Sequence, residues 1–293
     1  MKIKTAAKIN LALDVVGKLE NGYHAIESVF QTVGIYDEIT VELDDKISVS
    51  CELPPEFSSA DPIPCDERNI AYKAARQFFE AVGINSGCRI HIKKGIPSQA
   101  GMGGGSTDAA AVLYCLNEMT GKDLNTDELA EMGKKLGADV PFFFTGGTAY
   151  VGGIGDKIVP LADFSGYHLV IAKGVQGVST AEAYKNIDAL INPIHPQTNR
   201  LVQAINAYPG EAFRYVGNLF EQAIRLDEVD TIKSEMLSCG AQAACMTGSG
   251  SAVFGMFKNH EAAEKCAYSL KEADFFASVC KTVPKSFIKL TKE

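Results

Sequence analysis

Hydrophobic and polar positions alternate near the start of the chain. In residues 3–16, Ile9, Leu11, Leu13 and Val15 fall at period two, which predicts a half-buried strand. Gly17 and Asn21-Gly22 then mark turns. Strands are predicted over 29–35, 38–43 and 47–53; in the second, Ile39, Val41 and Leu43 alternate with Glu38, Thr40 and Glu42 to leave one face wet. Residues 54–66 hold four prolines and read as a surface loop. The period changes over 69–82, where Ile70, Ala74, Ala75, Phe78, Phe79 and Val82 have helical spacing that stops at Gly83. A short strand over 88–92 delivers the chain to a glycine-rich segment. The helix after it runs to about Thr120, and a second runs from Asn125 or Thr126 to Leu136-Gly137. The second half is mixed. Strands are predicted over 148–155, 167–172, 252–257, 278–283 and 286–290, and helices over 202–207, 213–226, 229–239 and 261–272. Residues 189–200, with Pro193 and Pro196, read as loop. Early strands followed by a mixture, without regular strand–helix alternation, favour an α+β fold over a doubly wound sheet.

The glycine-rich segment is Pro97-Ser98-Gln99-Ala100-Gly101-Met102-Gly103-Gly104-Gly105-Ser106-Thr107-Asp108, which empties into Ala109-Ala110-Ala111. Glycines there let backbone approach a ligand closely. Ser106 or Thr107 is placed to cap the helix that follows. The free N–H groups and positive dipole end of its first turn suit a phosphate. A flexible turn before a core helix has the same composition, so the loop alone leaves both readings open. Other phosphate motifs are excluded. The chain has no Gly-Lys-Ser or Gly-Lys-Thr, no His-Arg-Asp or Asp-Phe-Gly, and no last glycine of a dinucleotide fingerprint.

The 293 residues carry a net charge of −8, which disfavours wholesale nucleic-acid binding and draws attention to lysines near the loop. None of the eight cysteines forms a Cys-x-x-Cys pair and the five histidines are scattered, so a zinc site is not expected. Met1-Lys2-Ile3-Lys4-Thr5 lacks the apolar stretch of a signal, and no apolar run is long enough to cross a bilayer. A soluble, cytoplasmic protein with free thiols and no membrane partner is expected.

Three further places carry candidate chemistry. Lys8 and Asn10 lie on the strand face opposite Ile9 and Leu11; periodicity alone favours a solvent-facing lysine, whereas a cleft there would turn it into a fixed positive charge. Asp139 precedes the apolar run Val140-Pro141-Phe142-Phe143-Phe144, where a carboxylate is costly unless paired. It is either a turn cap or half of a lysine–aspartate acid–base pair. A second glycine cluster, Met246-Thr247-Gly248-Ser249-Gly250-Ser251, precedes a strand and allows close approach of a ligand or of another backbone.

In this order, Ala7-Lys8-Ile9-Asn10-Leu11, the glycine loop, Gly137-Ala138-Asp139-Val140-Pro141-Phe142 and Gly248-Ser249-Gly250-Ser251 resemble the motifs of the GHMP kinase superfamily of small-molecule kinases (galactokinase, homoserine kinase, mevalonate kinase and relatives). Asn21-Gly22-Tyr23-His24 narrows the likeness to members that phosphorylate a cytidine-diphosphate-linked methylerythritol on the non-mevalonate route to isoprenoid precursors. The resemblance implies an α+β, two-domain fold, 1–160 and 161–293, with the active-site cleft between the domains. It implies ATP, delivered with Mg²⁺, as cosubstrate. Asp139 would be the general base and Lys8 would hold it ionised and orient the hydroxyl. The loop from Pro97 to Thr107 would cradle the phosphates, and Asn69, Ile70 and Lys94 would line the adenosine pocket. His24 would hydrogen-bond the cytosine, with Tyr23 and Tyr184 on its two faces, while Asn10 and Thr180 would meet the diphosphate or erythritol end. No residue set announces a dedicated metal cage. The chain departs from the usual motif at Gln99-Ala100, Met102 and Thr107, and has Leu219 where an aspartate is common. A different alcohol acceptor and a catalytically idle nucleotide binder are the competing readings. The Gly-Tyr-His element speaks against the first, and the joint presence of Lys8 and Asp139 against the second.

Overall fold

A computed structural model describes residues 1–57 and 62–290; part of the proline-rich loop, 58–61, lies outside the described residues. The strands are β1 (Lys2–Lys18), β2 (His24–Asp44), β3 (Ser48–Glu52), β4 (Gly87–Lys93), β5 (Thr148–Gly153), β6 (Lys157–Pro160), β7 (His168–Lys173), β8 (Gly217–Asn218), β9 (Ala243–Met246), β10 (Val253–Phe257), β11 (Phe276–Lys281) and β12 (Phe287–Lys289). The helices are α1 (Ile70–Val82), α2 (Gly104–Thr120), α3 (Thr126–Lys134), α4 (Phe142–Thr145), α5 (Thr180–Asp188), α6 (Thr198–Ala207), α7 (Phe220–Ala223), α8 (Asp227–Ser238) and α9 (His260–Glu272). One sheet has eight strands, in the order β12-β1-β2-β4-β3, with β5 also on β2, β6 on β5 and β8 on β1; the other runs β11-β7-β10-β9. The fold is α+β. Among the described residues no helix is long and apolar enough to cross a membrane.

β1 is the hinge of the arrangement. The alternation predicts a half-buried strand, but residues 5–15 are buried on both faces. Ile9 and Leu11 pack with Leu201, Ile171 and Phe254 of the second half. Ile3 and Leu13 join the core of α1, α2 and the aromatic run at Phe142. Register shifts between Ala6 and Ala7 and between Asn10 and Ala12 bracket the Lys8 segment. Such bulges re-aim side chains locally. The face carrying Lys8 and Asn10 therefore meets an interior cleft rather than water.

α1 begins at Asn69, whose side chain accepts from the Ala71 N–H, and ends at Gly83 in the left-handed region. α2 starts earlier than its serine and threonine imply. Gly103 is its cap, with no side-chain hydrogen bond, and Ser106 and Thr107 lie inside the first turn. The first-turn N–H groups are thus left facing the loop without a side-chain oxygen from the cap.

Other differences have local causes. Residues 24–44 form one long strand instead of two, because β2 pairs along its length with β1, β4 and β5 in turn. The segment with helical spacing over 213–226 is a 3-10 turn (Pro209–Tyr215), then β8, then the single-turn α7. Ala12 and Leu13 pair with Gly217 and Asn218, and the Leu219 N–H donates to the Leu13 carbonyl at 2.8 Å, so the backbone there serves the sheet. Sequence pattern does not predict α5, β6 or β9, and α6 begins inside the stretch 189–200 that its prolines mark as loop. All eight cysteines are free thiols.

Candidate active site

The Lys8 N–H donates to the Met102 carbonyl at 3.0 Å, which lays the glycine loop along β1. Its ammonium donates to Asn10 Oδ1 at 2.8 Å and lies 3.6 Å from Asp139 Oδ2. It also stands 4.5 Å above the Phe30 ring. Lys8 is 3% exposed, so the solvent-facing reading fails. Burial lowers its pKa, and the charge and hydrogen bonding of Asp139 oppose that shift. Asp139 is delivered by the turn before α4 and keeps about a third of its side chain open to the cleft.

Asn10 ties the lysine to the far end of the chain. Its Oδ1 also accepts from the Gly248 N–H at 3.0 Å and the Thr247 hydroxyl at 3.2 Å, and its Nδ2 donates to Ser28 Oγ at 3.0 Å. Its own N–H donates to Thr247 Oγ1 at 2.9 Å. Asn218 Nδ2 holds the carbonyls of Met246 and Gly248 at 2.7 and 2.8 Å. Glu221 accepts from the Met246 N–H at 2.8 Å. The second glycine cluster is therefore pinned against the first. Close approach of another backbone, left open by composition, is what these glycines provide. Leu219 is fully buried in the core.

Three cavities meet at this point. A cleft of about 470 Å³ is lined by Asn69, Ile70, Lys94 and the loop from Pro97 to Ser106. A small one of about 170 Å³ is lined by Lys8, Asn10, Gly101, Gly103, Asp139, Thr180, Tyr184 and Ser249. A third, of about 810 Å³, is lined by Tyr23, His24, Ser106, Asp139, Thr180, Tyr184 and Asp188. Gly101 and Gly103 border the first two, while Asp139, Thr180 and Tyr184 border the last two. Lys8 and Asp139 thus sit where the two larger spaces meet.

Thr107 is the member of the loop that does not border the first cleft. It is fully buried and its hydroxyl bonds to that of Thr5. Beneath the loop, Lys94 is ion-paired with Asp37 and, at 2.9 Å, with Asp108. Asp37 Oδ1 also accepts from the Gly95 and Ile96 N–H groups at 2.7 and 2.9 Å, fixing the entry to the loop. Burial works against the charge on Lys94, but its two carboxylates hold its pKa above the ordinary value. Burial, with Asp37 nearby, pushes Asp108 well up.

In the third cleft, the rings of His24 and Tyr184 stack on each other at 4.7 Å and 19°. Phe220 meets Tyr184 edge-on at 5.1 Å. Tyr23 is 62% exposed at the rim. Burial and then the nearby Asp139 charge push the Tyr184 phenol up to about 12, so it stays a hydrogen-bond donor at neutral pH. The expected sandwich is altered: Tyr184 already covers a face of His24. The Thr180 and Ser249 hydroxyls are 3.0 Å apart.

Sequence reasoning missed Asp37, Asp108, Asp188 and Phe220. Asp108 lies inside the glycine motif. Asp188 lies four positions after Tyr184, the helical spacing that puts both on one face, and that signal is legible.

Residues 69–147 match the description "GHMP kinases N terminal domain", and residues 209–274 match "GHMP kinases C terminal". A protein of Clostridium botulinum (strain Eklund 17B / Type B), named 4-diphosphocytidyl-2-C-methyl-D-erythritol kinase, is 42% identical over 287 residues, covering 97% of this chain and 100% of the relative. One of the same name from Clostridium tetani (strain Massachusetts / E88) is 41% identical over 288 residues, again 97% and 100%. Among solved structures, a 4-(cytidine 5'-diphospho)-2C-methyl-D-erythritol kinase is similar with a TM-score of 0.76, 29% identity, and coverage of 96% of this chain and 98% of the other. A mevalonate kinase of L. major shares the fold at TM-score 0.71 and 16% identity, over 98% and 97%.

Proposed function

Since this chain belongs to the GHMP kinase family, among its 4-diphosphocytidyl-2-C-methyl-D-erythritol kinases, we infer that its three cavities form one track for phosphoryl transfer. The protein is an ATP-dependent phosphotransferase with an alcohol acceptor, 4-diphosphocytidyl-2-C-methyl-D-erythritol. The observation that carries the assignment of roles is the position of Lys8 and Asp139, 3.6 Å apart at the junction of the two larger clefts.

ATP enters the first cleft, with adenosine beside Asn69, Ile70 and Lys94 and phosphates over the loop and the first turn of α2. The acceptor fills the third cleft, its cytosine at His24 and its 2-hydroxyl at Asp139. Asp139 takes the hydroxyl proton as the oxygen bonds to the γ-phosphorus and the bond to the ADP oxygen breaks. Lys8 sets the carboxylate's charge and orientation, and stands as fixed positive charge beside the transferring group. Most of such a reaction is positioning and charge stabilisation. Asn10 holds Lys8 through its carbonyl, and Thr180 with Ser249 borders the acceptor's diphosphate. A base hydrogen-bonded edge-on to His24 lies in the imidazole plane. Tyr184 is within 19° of that plane and can slide over the base. Stacking of this kind is worth roughly 1–3 kcal/mol.

Mg²⁺ accompanies ATP in this reading and offsets phosphate charge when bound. An ion that arrives with ATP would be ligated chiefly by phosphate and water. Ser106, on the border of both larger clefts, would meet that ion. We take 1–160 and 161–293 as the two domains, and the cytoplasm as the site of action.

The test is ADP release with Mg-ATP and 4-diphosphocytidyl-2-C-methyl-D-erythritol, with mevalonate and homoserine as comparison acceptors. Turnover confined to the cytidine compound is expected. Turnover on another alcohol alone would discard the roles of Tyr23, His24 and Tyr184.

A further inference from the structure

The last residue of α5 is an aspartate, at the end of a helix where the dipole disfavours negative charge. One cation and one imidazole account for its place. Lys18 Nζ donates to Asp188 Oδ2 at 2.5 Å. His24 Nε2 lies 2.6 Å from Asp188 Oδ1. These two hydrogen bonds, Lys18's the larger, hold the Asp188 carboxyl below its usual range, so it is ionised at neutral pH. An ionised carboxylate only accepts, so the proton of this contact belongs to His24 Nε2. In the neutral imidazole the other nitrogen, Nδ1, is then a bare acceptor. No hydrogen bond among the described residues engages it. The ring is held flat by Tyr184, four residues before Asp188 on the same helix.

We propose that Asp188 is a specificity-determining positioning residue that fixes the tautomer of His24, so that Nδ1 accepts from the exocyclic amine of cytosine and opposes the carbonyl of uracil. The proposal rests on the reading that His24 meets the base. Cytosine and uracil differ at that edge by a donor replaced with an acceptor. Two acceptors facing each other in a partly closed cleft lose the bond and leave both groups desolvated. Without the carboxylate, the imidazole proton is free to move to Nδ1, and uracil's carbonyl gains a donor. Lys18 supports the device by keeping Asp188 charged.

The experiment measures kcat/KM with 4-diphosphocytidyl-2-C-methyl-D-erythritol and with its uridine counterpart, for the wild type, Asp188→Asn and Asp188→Glu. Asparagine accepts or donates according to its flip, so it does not select a tautomer. The wild type is expected to prefer the cytidine compound strongly. Asp188→Asn should lower that preference by about 10-fold or more, the equivalent of one hydrogen bond's discrimination. The change should come through KM for the cytidine compound and through a gain with the uridine compound, and glutamate should restore much of the preference. A merely structural role would lower both substrates alike. Equal wild-type use of both substrates overturns the reading of His24 at the base, and this proposal with it. A strong wild-type preference that Asp188→Asn leaves unchanged overturns the proposal alone. Nitrogen NMR of the wild-type imidazoles covers the case in which the variant fails to fold. A proton on Nε2 of His24 is expected, and a proton on Nδ1 overturns the proposal.

Discussion

Replacing Gly101 with alanine separates backbone strain from the packing of the two glycine clusters. Gly101 has φ +71°, and a Cβ there would lie 2.2 Å from the Thr247 carbonyl oxygen. Real Cβ contacts are essentially never below 3.0 Å, so one backbone must retreat by about 0.8 Å. Thr247 is fully buried and bonded to Asn10, which leaves it no slack. The left-handed conformation costs a residue with a Cβ about 1–2 kcal/mol. Overpacking of a buried contact adds about 1–3 kcal/mol. Gly121→Ala is the control, because Gly121 has φ +61° but a Cβ added there would meet nothing within 4 Å. Thermal unfolding should therefore show Gly121→Ala down by a few degrees and Gly101→Ala down by roughly 5–15 °C. The displaced Thr247 also pulls on Asn10 and thus on Lys8. ADP-release kinetics should show kcat of Gly101→Ala falling by about 100-fold, the usual consequence of an ångström-scale misplacement. Equal melting and equal kcat for the two variants would refute the claim that the clusters hold each other in place.

Asp139→Asn should lower kcat by about 10²–10⁴-fold with ATP affinity, measured by calorimetry, nearly unchanged; a near-normal kcat would remove Asp139 from the base role. Burial lowers the Lys8 pKa below its ordinary 10.5, so the folded protein binds fewer protons than the unfolded chain between that lowered value and 10.5. Across this window the Lys8 contribution to stability becomes more favourable as pH rises, while activity falls as the ammonium is lost; the difference in unfolding free energy between wild type and Lys8→Met should shift in the wild type's favour as pH rises across the window, and a difference that stays flat with pH would refute the lowered Lys8 pKa. Lys94→Met leaves Asp37 and Asp108 buried without their cation and should cost about 3–5 kcal/mol in urea unfolding. Lowering the pH should recover part of that loss, because the stranded carboxylates take up protons; a variant as stable as the wild type at neutral pH would contradict the ion-pair account.

The active-site parts are legible one at a time. Four glycines before an alanine run announce a phosphate loop, and Asp139 beside three phenylalanines announces a carboxylate that needs a partner. Local signals of that strength report on backbone freedom and on the cost of burial, which act within a few residues. The cap of α2 falls elsewhere than its serine and threonine suggest because Gly103, in the left-handed region, ends the loop before they are reached. The stretch over 213–226 departs from its helical spacing because that spacing competes with pairing to β1, and the sheet wins.

By itself the sequence determined the α+β class, the glycine loop and its helix, the candidate lysine and aspartate, and the kinase resemblance. Each of these rests on short-range pattern or on motif spacing. Only the tertiary structure decided that β1 is covered on both sides, that Lys8 is buried 3.6 Å from Asp139, and that Asn10 joins Lys8 to Thr247 and Gly248. It also decided that Tyr184 stacks on His24 and that Asp188 reaches the same ring. These contacts join residues up to 238 positions apart. Their partners are chosen by which apolar faces pack together, and no local stretch of chain encodes that choice.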